Sequence, residues 1–223
     1  GLTDELALNL LSAMPNLKRL SLKNCRKISS LEPLCKLTKL TCLDVGGCFN
    51  VTTNDVLDLI PELNNLTELH ASGLQWKDDS VAKLVELRNN WKCLSLGYSS
   101  LSLTHLRESL LVIADSLIAL ALPFCESVVD NALLGILGRN CMHLRFLDVR
   151  GNPNLNTLTG WYDGRASANL NEAYCEFTVL ARYSSITPNS VEETKRAHPF
   201  ATDGLTVFLD GEGMGAGILR NEE

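Results

Sequence analysis

Asp44, His70 and Ser95 are the residues of this chain whose types could carry out nucleophilic chemistry together. Each lies at the same position of a short apolar pattern that recurs about every 26 residues. Side chains at matching positions of parallel strands share one face of a sheet, so these three would be neighbours. A Ser–His–Asp set also needs an oxyanion hole and a walled pocket, which an open ladder of strands does not supply. We therefore predict that the chain is not an enzyme.

The eight cysteines raise the question of metal binding and thiol chemistry. No CxxC pair is matched by a second pair or by closely spaced histidines, so the sequence predicts no metal site. Cys42 and Cys93 could be thiols on one strand face, but no adjacent residue argues for a lowered thiol pKa. The stretch Gly211–Gly217 loosely resembles a phosphate-binding loop, yet no apolar helical pattern follows it. We predict no cofactor.

These residues depend for their position on a repeated apolar strand pattern, LxxLxL. Three copies are followed three residues later by cysteine, and a fourth copy has Asn152 in place of the cysteine. The copies are Leu17-Leu20-Leu22, Leu40-Leu43-Val45, Leu117-Leu120-Leu122 and Leu144-Leu147-Val149, and the three cysteines are Cys25, Cys48 and Cys125. A fixed period of 20 to 29 residues with a short strand in each unit is typical of a solenoid. Buried in a stacked turn column, these cysteines would remain free rather than paired.

Helical spacing of apolar residues follows most strands, which predicts helices on the opposite side of the solenoid. We therefore predict an α/β solenoid of about eight repeats over residues 1–209, with parallel strands on a concave face. The gap between Leu144 and Phe177 exceeds the period by roughly seven residues, which predicts an inserted polar loop near 157–169. Residues 210–223 are expected to form a Gly-rich, acidic tail. The chain opens on a helix, Leu6–Met14, with no polar capping repeat before it, which suggests a fragment.

The repeat of strand, cysteine-bearing turn and helix resembles the cysteine-containing leucine-rich repeats of F-box substrate receptors and related ribonuclease-inhibitor-like proteins. Cys141, three residues before Leu144, and the helix entries Val51-Thr52 and Ile186-Thr187 add to the resemblance. The resemblance implies protein binding without catalysis. It also implies the substrate-recognition part of a ubiquitin-ligase adaptor as an alternative to a scaffold, although no F-box precedes Leu17 in this sequence.

Charge and composition exclude several other partner classes. A net charge of −6 and a pI near 5.3 argue against nucleic acid, which usually needs a basic patch. No run of eighteen apolar residues is present, so no membrane span is predicted. Unpaired cysteines favour a reducing intracellular compartment, most simply the cytoplasm. An inositol-phosphate or other small-molecule sensor remains a remote alternative, because only Arg19, Lys23 and Arg150 would be basic on the concave face.

The prediction for function is therefore a protein-interaction module with two candidate surfaces. The first candidate surface is the concave face, which is formed by the side chains that alternate outward along the strands. In the seventh strand we expect Val179, Ala181 and Tyr183 to point outward. Phe146 and Tyr183 would be exposed aromatics without a folding role, surrounded by charges of both signs. The inserted loop supplies the second surface, since Trp, Tyr and Arg are enriched at binding hot spots. The alternative is that Trp161 folds back and covers the ridge where the sixth repeat meets the seventh. The predicted binding residues are Glu68, His70, Phe146, Asp148, Arg150, Trp161, Tyr162, Arg165 and Tyr183.

Overall fold

The computed structural model describes residues 14–168, 176–198 and 204–209. The predicted helix at 6–14, apart from its last residue, the end of the inserted segment at 169 and the tail at 210–223 lie outside the described residues.

Eight short strands form one parallel sheet in chain order, as the repeat predicted. Their central leucines pair in register from one repeat to the next, for example Leu20 with Leu43 and Leu94 with Leu120. The strands are β1 Arg19–Ser21, β2 Cys42–Asp44, β3 Glu68–His70, β4 Cys93–Ser95, β5 Ala119–Ala121, β6 Phe146–Asp148, β7 Phe177–Leu180 and β8 Leu205–Phe208.

Helices connect the strands and cover the other side of the sheet, so the predicted α/β leucine-rich repeat solenoid is confirmed. Four of them begin at a polar cap whose side chain accepts from a backbone N–H of the first turn: Thr52, Ser102, Asp130 and Thr187. The helices are α1 Thr53–Leu59, α2 Asp78–Leu87, α3 Leu103–Ile113, α4 Asn131–Asn140, α5 Thr159–Ser167 and α6 Pro188–Ala197, with 3₁₀ turns at Glu32–Lys36 and Ile60–Glu62.

The core is a continuous stack of inward side chains between the sheet and the helices. The central leucines of the first six strands are all buried, and Leu120 is completely so: Leu20, Leu43, Leu69, Leu94, Leu120 and Leu147. Trp91, which takes the place of a leucine in its repeat, is buried with them. Each repeat therefore buries its apolar side against its neighbours.

The turn after each strand is built from two successive residues with different tasks. The first adopts a left-handed backbone conformation, as Gly47 and Gly151 do, and its amide donates to a carbonyl of the next repeat. The second often donates back to the preceding repeat: the Cys48 thiol to the Leu22 carbonyl at 3.0 Å and the Asn152 amide to the Leu122 carbonyl at 2.9 Å. Asn152 thus performs the cysteine's role.

Free thiols occupy this turn column as predicted, with one exception in burial. Cys48 and Cys125 are buried, whereas Cys25 is exposed. Cys25 follows β1, which ends the described sheet, so no earlier described repeat covers it. All seven cysteines among the described residues are free.

The register of β7 differs from the prediction by one residue. Val179, rather than Leu180, pairs with Leu147. A slip of one residue exchanges the two faces of a strand, so Val179 and Ala181 are buried while Thr178 and Leu180 turn outward. The expectation that Val179 and Ala181 face the partner is therefore wrong. Phe177 points inward and stacks on Trp161 at 4.2 Å between ring centroids.

The prediction of an irregular loop at 157–169 is also wrong, because residues Thr159–Ser167 form helix α5. It packs on α4 at backbone distance, which glycines on both helices permit. A Cβ on Gly138 would overlap the Trp161 carbonyl oxygen, and one on Gly164 would overlap the Gly135 carbonyl oxygen. Small residues at helical spacing let two helices approach closely, and this contact seats the additional residues of the sixth repeat.

We expect Leu120→Ala to lower the free energy of unfolding by about 2–5 kcal/mol, because a fully buried leucine leaves a cavity. Urea denaturation measures this. The matched control is Leu111→Ala on α3, where the side chain is 44% exposed, and we expect a change within about 0.5 kcal/mol. Equal losses in the two variants would contradict the assigned core.

The contact between α4 and α5 generates a second stability prediction. We expect Gly138→Ala to destabilise the protein by about 1–3 kcal/mol, because the added methyl group meets the Trp161 backbone. In Gly135→Ala the methyl group lies 3.6 Å from the Gly160 carbonyl oxygen, so we expect no loss and a gain of up to about 1 kcal/mol from helix propensity. Thermal unfolding of both variants compares them, and a loss in Gly135→Ala as large as in Gly138→Ala would exclude this packing.

Candidate protein-binding surface

The central part of the concave face is polar. Arg19 on β1 reaches across β2 to Glu68 on β3, with a shortest N–O distance of 3.0 Å. His70 lies on the same face as Glu68, and burial lowers the pKa of its imidazole although Asp44 and Glu68 act in the opposite direction. Glu68 and His70, both predicted binding residues, are therefore partly covered and already engaged with neighbours.

The triad-like set of Asp44, His70 and Ser95 is adjacent in register, but Asp44 and Ser95 form hydrogen bonds with other residues. The Asp44 carboxylate accepts from the Ser21 hydroxyl and the Gly46 amide. Ser95 shares a 2.7 Å hydrogen bond with Ser72. Asp44 and Ser95 are thus held by the turn and by residues of neighbouring repeats.

Burial also raises the pKa values of two thiols on the concave face. It raises the pKa of Cys42 to about 12, with the nearby Glu68 carboxylate acting in the same direction. Burial likewise raises the pKa of Cys93 to about 12. Reactive cysteines need the thiolate near neutral pH, so these two are poor candidates for that role.

At the C-terminal end of the concave face, Phe146 is half-buried on β6 and Leu180 is half-exposed on β7. Asp148 is buried and forms a bidentate pair with Arg150, with a shortest N–O distance of 2.6 Å. This hydrogen bond raises the pKa of the Arg150 guanidinium. Asp148 is therefore a support for Arg150, and only Arg150 of the two presents its charge to solvent.

The three residues predicted on the inserted segment are not exposed. Trp161, Tyr162 and Arg165 are all buried on α5. Trp161 stacks on Phe177, Tyr162 stacks against His198 at 5.5 Å, and Arg165 lies over the Trp161 ring. These contacts join α5 to β7 and α6, so the segment is part of the folding core and does not form the rim of a binding surface.

A line of exposed aromatic residues follows the turn that ends the strands; we call Tyr98, Phe124 and Tyr183 the aromatic rim. Their side chains are 56%, 39% and 69% exposed. Tyr98 and Phe124 stack with 4.7 Å between ring centroids. Gly151 leaves room for the Phe124 ring, which a Cβ there would overlap. The rim borders the end of the concave face that carries Phe146 and Arg150.

All three rim residues adopt the left-handed backbone conformation, with φ of 59°, 55° and 58°. This conformation suits glycine or asparagine, which occupy the same position of other repeats at Asn24, Gly47 and Gly73. An aromatic residue there costs of order 1–3 kcal/mol and persists only where its surroundings impose it. Folding alone would be served better by glycine, so the rings point to a task at the surface.

Sequence reasoning identified Tyr183 but missed Tyr98 and Phe124. A signal for both was present: each lies four residues after the central apolar residue of its strand, where other repeats carry Asn24, Gly47, Gly73 and Gly151. Aligning the repeats on that residue reveals a turn column in which aromatics replace glycine three times. The recurring cysteines occupy the next position, one residue after this column.

Comparison with known proteins agrees with this architecture. Residues 15–59 match two copies of the family model described as Leucine Rich repeats. A protein of Arabidopsis thaliana named as a disease resistance protein is 38% identical over 69 residues, which is 31% of this chain and 6% of that protein. The crystal structure of the yeast Rad7 and Elc1 complex contains a chain similar in fold, with a TM-score of 0.53 and 20% identity, covering 85% of this chain and 60% of that one.

The repeat pattern and the ladder of eight parallel strands give the chain the fold of a leucine-rich repeat solenoid, and the family model matches its first repeats. It spans only part of the length of both proteins it matches. Among the described residues, no helix has the length and apolar character needed to cross a membrane.

The strain in the rim can be tested by Tyr98→Gly. Loss of the stack with Phe124 removes about 0.5–1.5 kcal/mol, while glycine relieves a backbone cost of similar size. We therefore expect a net change in unfolding free energy within about 1 kcal/mol. Phe177→Ala, which removes a buried ring from a comparable stack, should cost about 3–5 kcal/mol. Urea denaturation compares the two, and a loss above about 2 kcal/mol in Tyr98→Gly would assign that ring to folding instead.

Proposed function

We propose that this chain is a non-catalytic protein-interaction module that binds its partner through the aromatic rim and the adjoining end of the concave face. The observation that carries the proposal is the presence of three exposed aromatics at turn positions where folding favours glycine. Tyrosine and other aromatics anchor protein interfaces because they bury much area and lose little conformational entropy.

The chemistry of the surface supports a protein partner that inserts an apolar side chain and carries an acidic side chain next to it. Phe146 and Leu180 add apolar area beside the rim. Arg150 adds a cation whose orientation is fixed by the buried Asp148, and Tyr98 lies within electrostatic range of it. A preoriented arginine loses little entropy on binding a carboxylate. The apolar area of such a surface supplies binding affinity, and the single fixed charge sets the orientation of the bound partner.

The cellular role is a further part of the proposal. We favour a scaffold or recognition domain in a reducing intracellular compartment, since the seven described cysteines are free. The second candidate is the substrate-recognition part of an F-box type ligase adaptor. The yeast neighbour of similar fold comes from a complex with a second protein, which is compatible with either role.

The proposal predicts that the double variant Tyr98→Gly/Phe124→Gly loses its specific partner. We expect at least a tenfold weaker interaction, since removal of a hot-spot residue costs about 2 kcal/mol or more. Tagged wild type and variant would be used to capture proteins from extracts of the source cells, with quantification by mass spectrometry. Capture of ligase subunits would favour the adaptor role. Capture of a stoichiometric structural complex would favour the scaffold role.

The control is Leu111→Ala/Val112→Ala, which removes two exposed apolar side chains from α3 on the helical side. It should leave capture unchanged. Equal capture by the rim variant and wild type, or loss only in the α3 variant, would remove the rim from consideration. Arg150→Glu is unsuitable as a binding variant because it would leave the buried Asp148 carboxylate beside a second negative charge.

A further inference from the structure

The middle of the concave face brings together side chains with metal-binding chemistry that lie far apart in the sequence. Cys42, Glu68 and His70 each offer a ligand atom, and these three atoms lie within 4.8 Å of one another. Cys93 adds a fourth, with its sulfur 3.9 Å from His70 Nε2. Parallel pairing explains the arrangement, since Cys42, Glu68 and Cys93 are register partners and His70 is two residues beyond Glu68 on the same face.

We propose that Cys42, Glu68, His70 and Cys93 form a Zn²⁺ site on the concave face across β2, β3 and β4. Zinc prefers a tetrahedral set of sulfur, nitrogen and carboxylate donors, at about 2.3 Å for sulfur and about 2.0–2.2 Å for nitrogen and oxygen. Those bond lengths place neighbouring donors about 3.3–3.8 Å apart. Side-chain rotation has to bring the donor atoms of Cys42, Glu68 and His70 closer by up to about 1 Å. It also has to move the Cys93 sulfur, which lies 3.9 Å from His70 Nε2, toward the other two donors.

The identity of the donors selects zinc among common metal ions. Two thiols and an imidazole are soft or borderline donors, whereas magnesium and calcium prefer oxygen donors. A carboxylate in the set favours a divalent ion over copper(I). Each coordinated thiol gives its proton to solvent as the metal binds.

The two thiols have no other assigned role in the fold. The repeat places its structural cysteines in the buried turn column, whereas Cys42 and Cys93 lie on the strands and face the concave side. The same register position carries Arg19 on β1, Glu68 on β3 and Ala119 on β5, so the position itself demands no particular side chain.

Neighbouring residues already orient the donors. Arg19 holds both oxygens of the Glu68 carboxylate, at 3.0 and 3.3 Å, so one of them has to leave Arg19 to bind the metal while the other stays. Asp44 lies beside His70 and supplies negative charge near the imidazole. Partners of this kind fix metal-binding side chains in position. Glu68, His70 and Cys93 are only partly buried, which leaves a path for the ion from the concave side.

Titration of the reduced, metal-free chain with Co²⁺, followed by displacement with Zn²⁺, tests the site. We expect one ion per chain, by equilibrium dialysis, and the strong visible absorption of tetrahedral cobalt with thiolate charge transfer. Cys42→Ser and Cys93→Ser should each remove roughly half of the charge-transfer absorption, and the double variant all of it. His70→Ala should weaken zinc binding at least about 100-fold, since changes beside a ligand already cost 10–100-fold.

Cys25→Ser and His143→Ala are the controls, because both residues are exposed and lie outside the cluster. They should bind zinc as the wild type does. Circular dichroism checks that the variants fold, and Glu68→Gln, which keeps the shape of the side chain, provides a fourth variant expected to weaken binding. Absence of thiolate–cobalt absorption in the wild type, or unchanged zinc affinity in both Cys42→Ser and His70→Ala, would overturn the proposal.

Discussion

The structure depends on the requirement that each strand pair in register with the same position of the next repeat. A strand of three or four residues cannot hold itself together, so its backbone groups and its central apolar side chain must be matched by neighbours on both sides. Leu43, Leu69, Leu94 and Leu120 meet this requirement in succession. The left-handed turn after each strand extends the same ladder through the amides of Gly47, Gly73 and Tyr98.

Stacking in register also determines what the surface can carry. Any side chain on the outward side of a strand acquires two neighbours at matching positions, and so do residues in the turn column. Residues at the same position of successive repeats therefore lie in a row on the surface. The aromatic rim and the group of Cys42, Glu68, His70 and Cys93 both arise in this way, the first along a turn and the second across three strands.

The sixth repeat shows how the array tolerates additional residues. The segment after β6 folds into α5 and docks against α4 through glycines, and Trp161 covers Phe177 of β7. The larger spacing between β6 and β7 is absorbed on the helical side, while the sheet continues with parallel pairing. An arginine and two aromatics that resemble a binding loop in the sequence serve the packing of this junction.

The sequence by itself determined the architecture, because apolar spacing of two within strands and about 26 between them leaves few ways to bury the leucines. It also placed Phe146 and Arg150 at the C-terminal end of the concave face, whereas the structure has Tyr183 in the turn after β7. Tertiary structure alone decided the register of β7, the burial of Tyr162 and Arg165, and the proximity of His70 to Cys42 and Cys93. Each of these depends on which residues a neighbouring repeat places opposite, and a change of one position in that pairing reverses the faces of a strand. Local spacing reports the period of the repeat, but not the register in which irregular repeats pack.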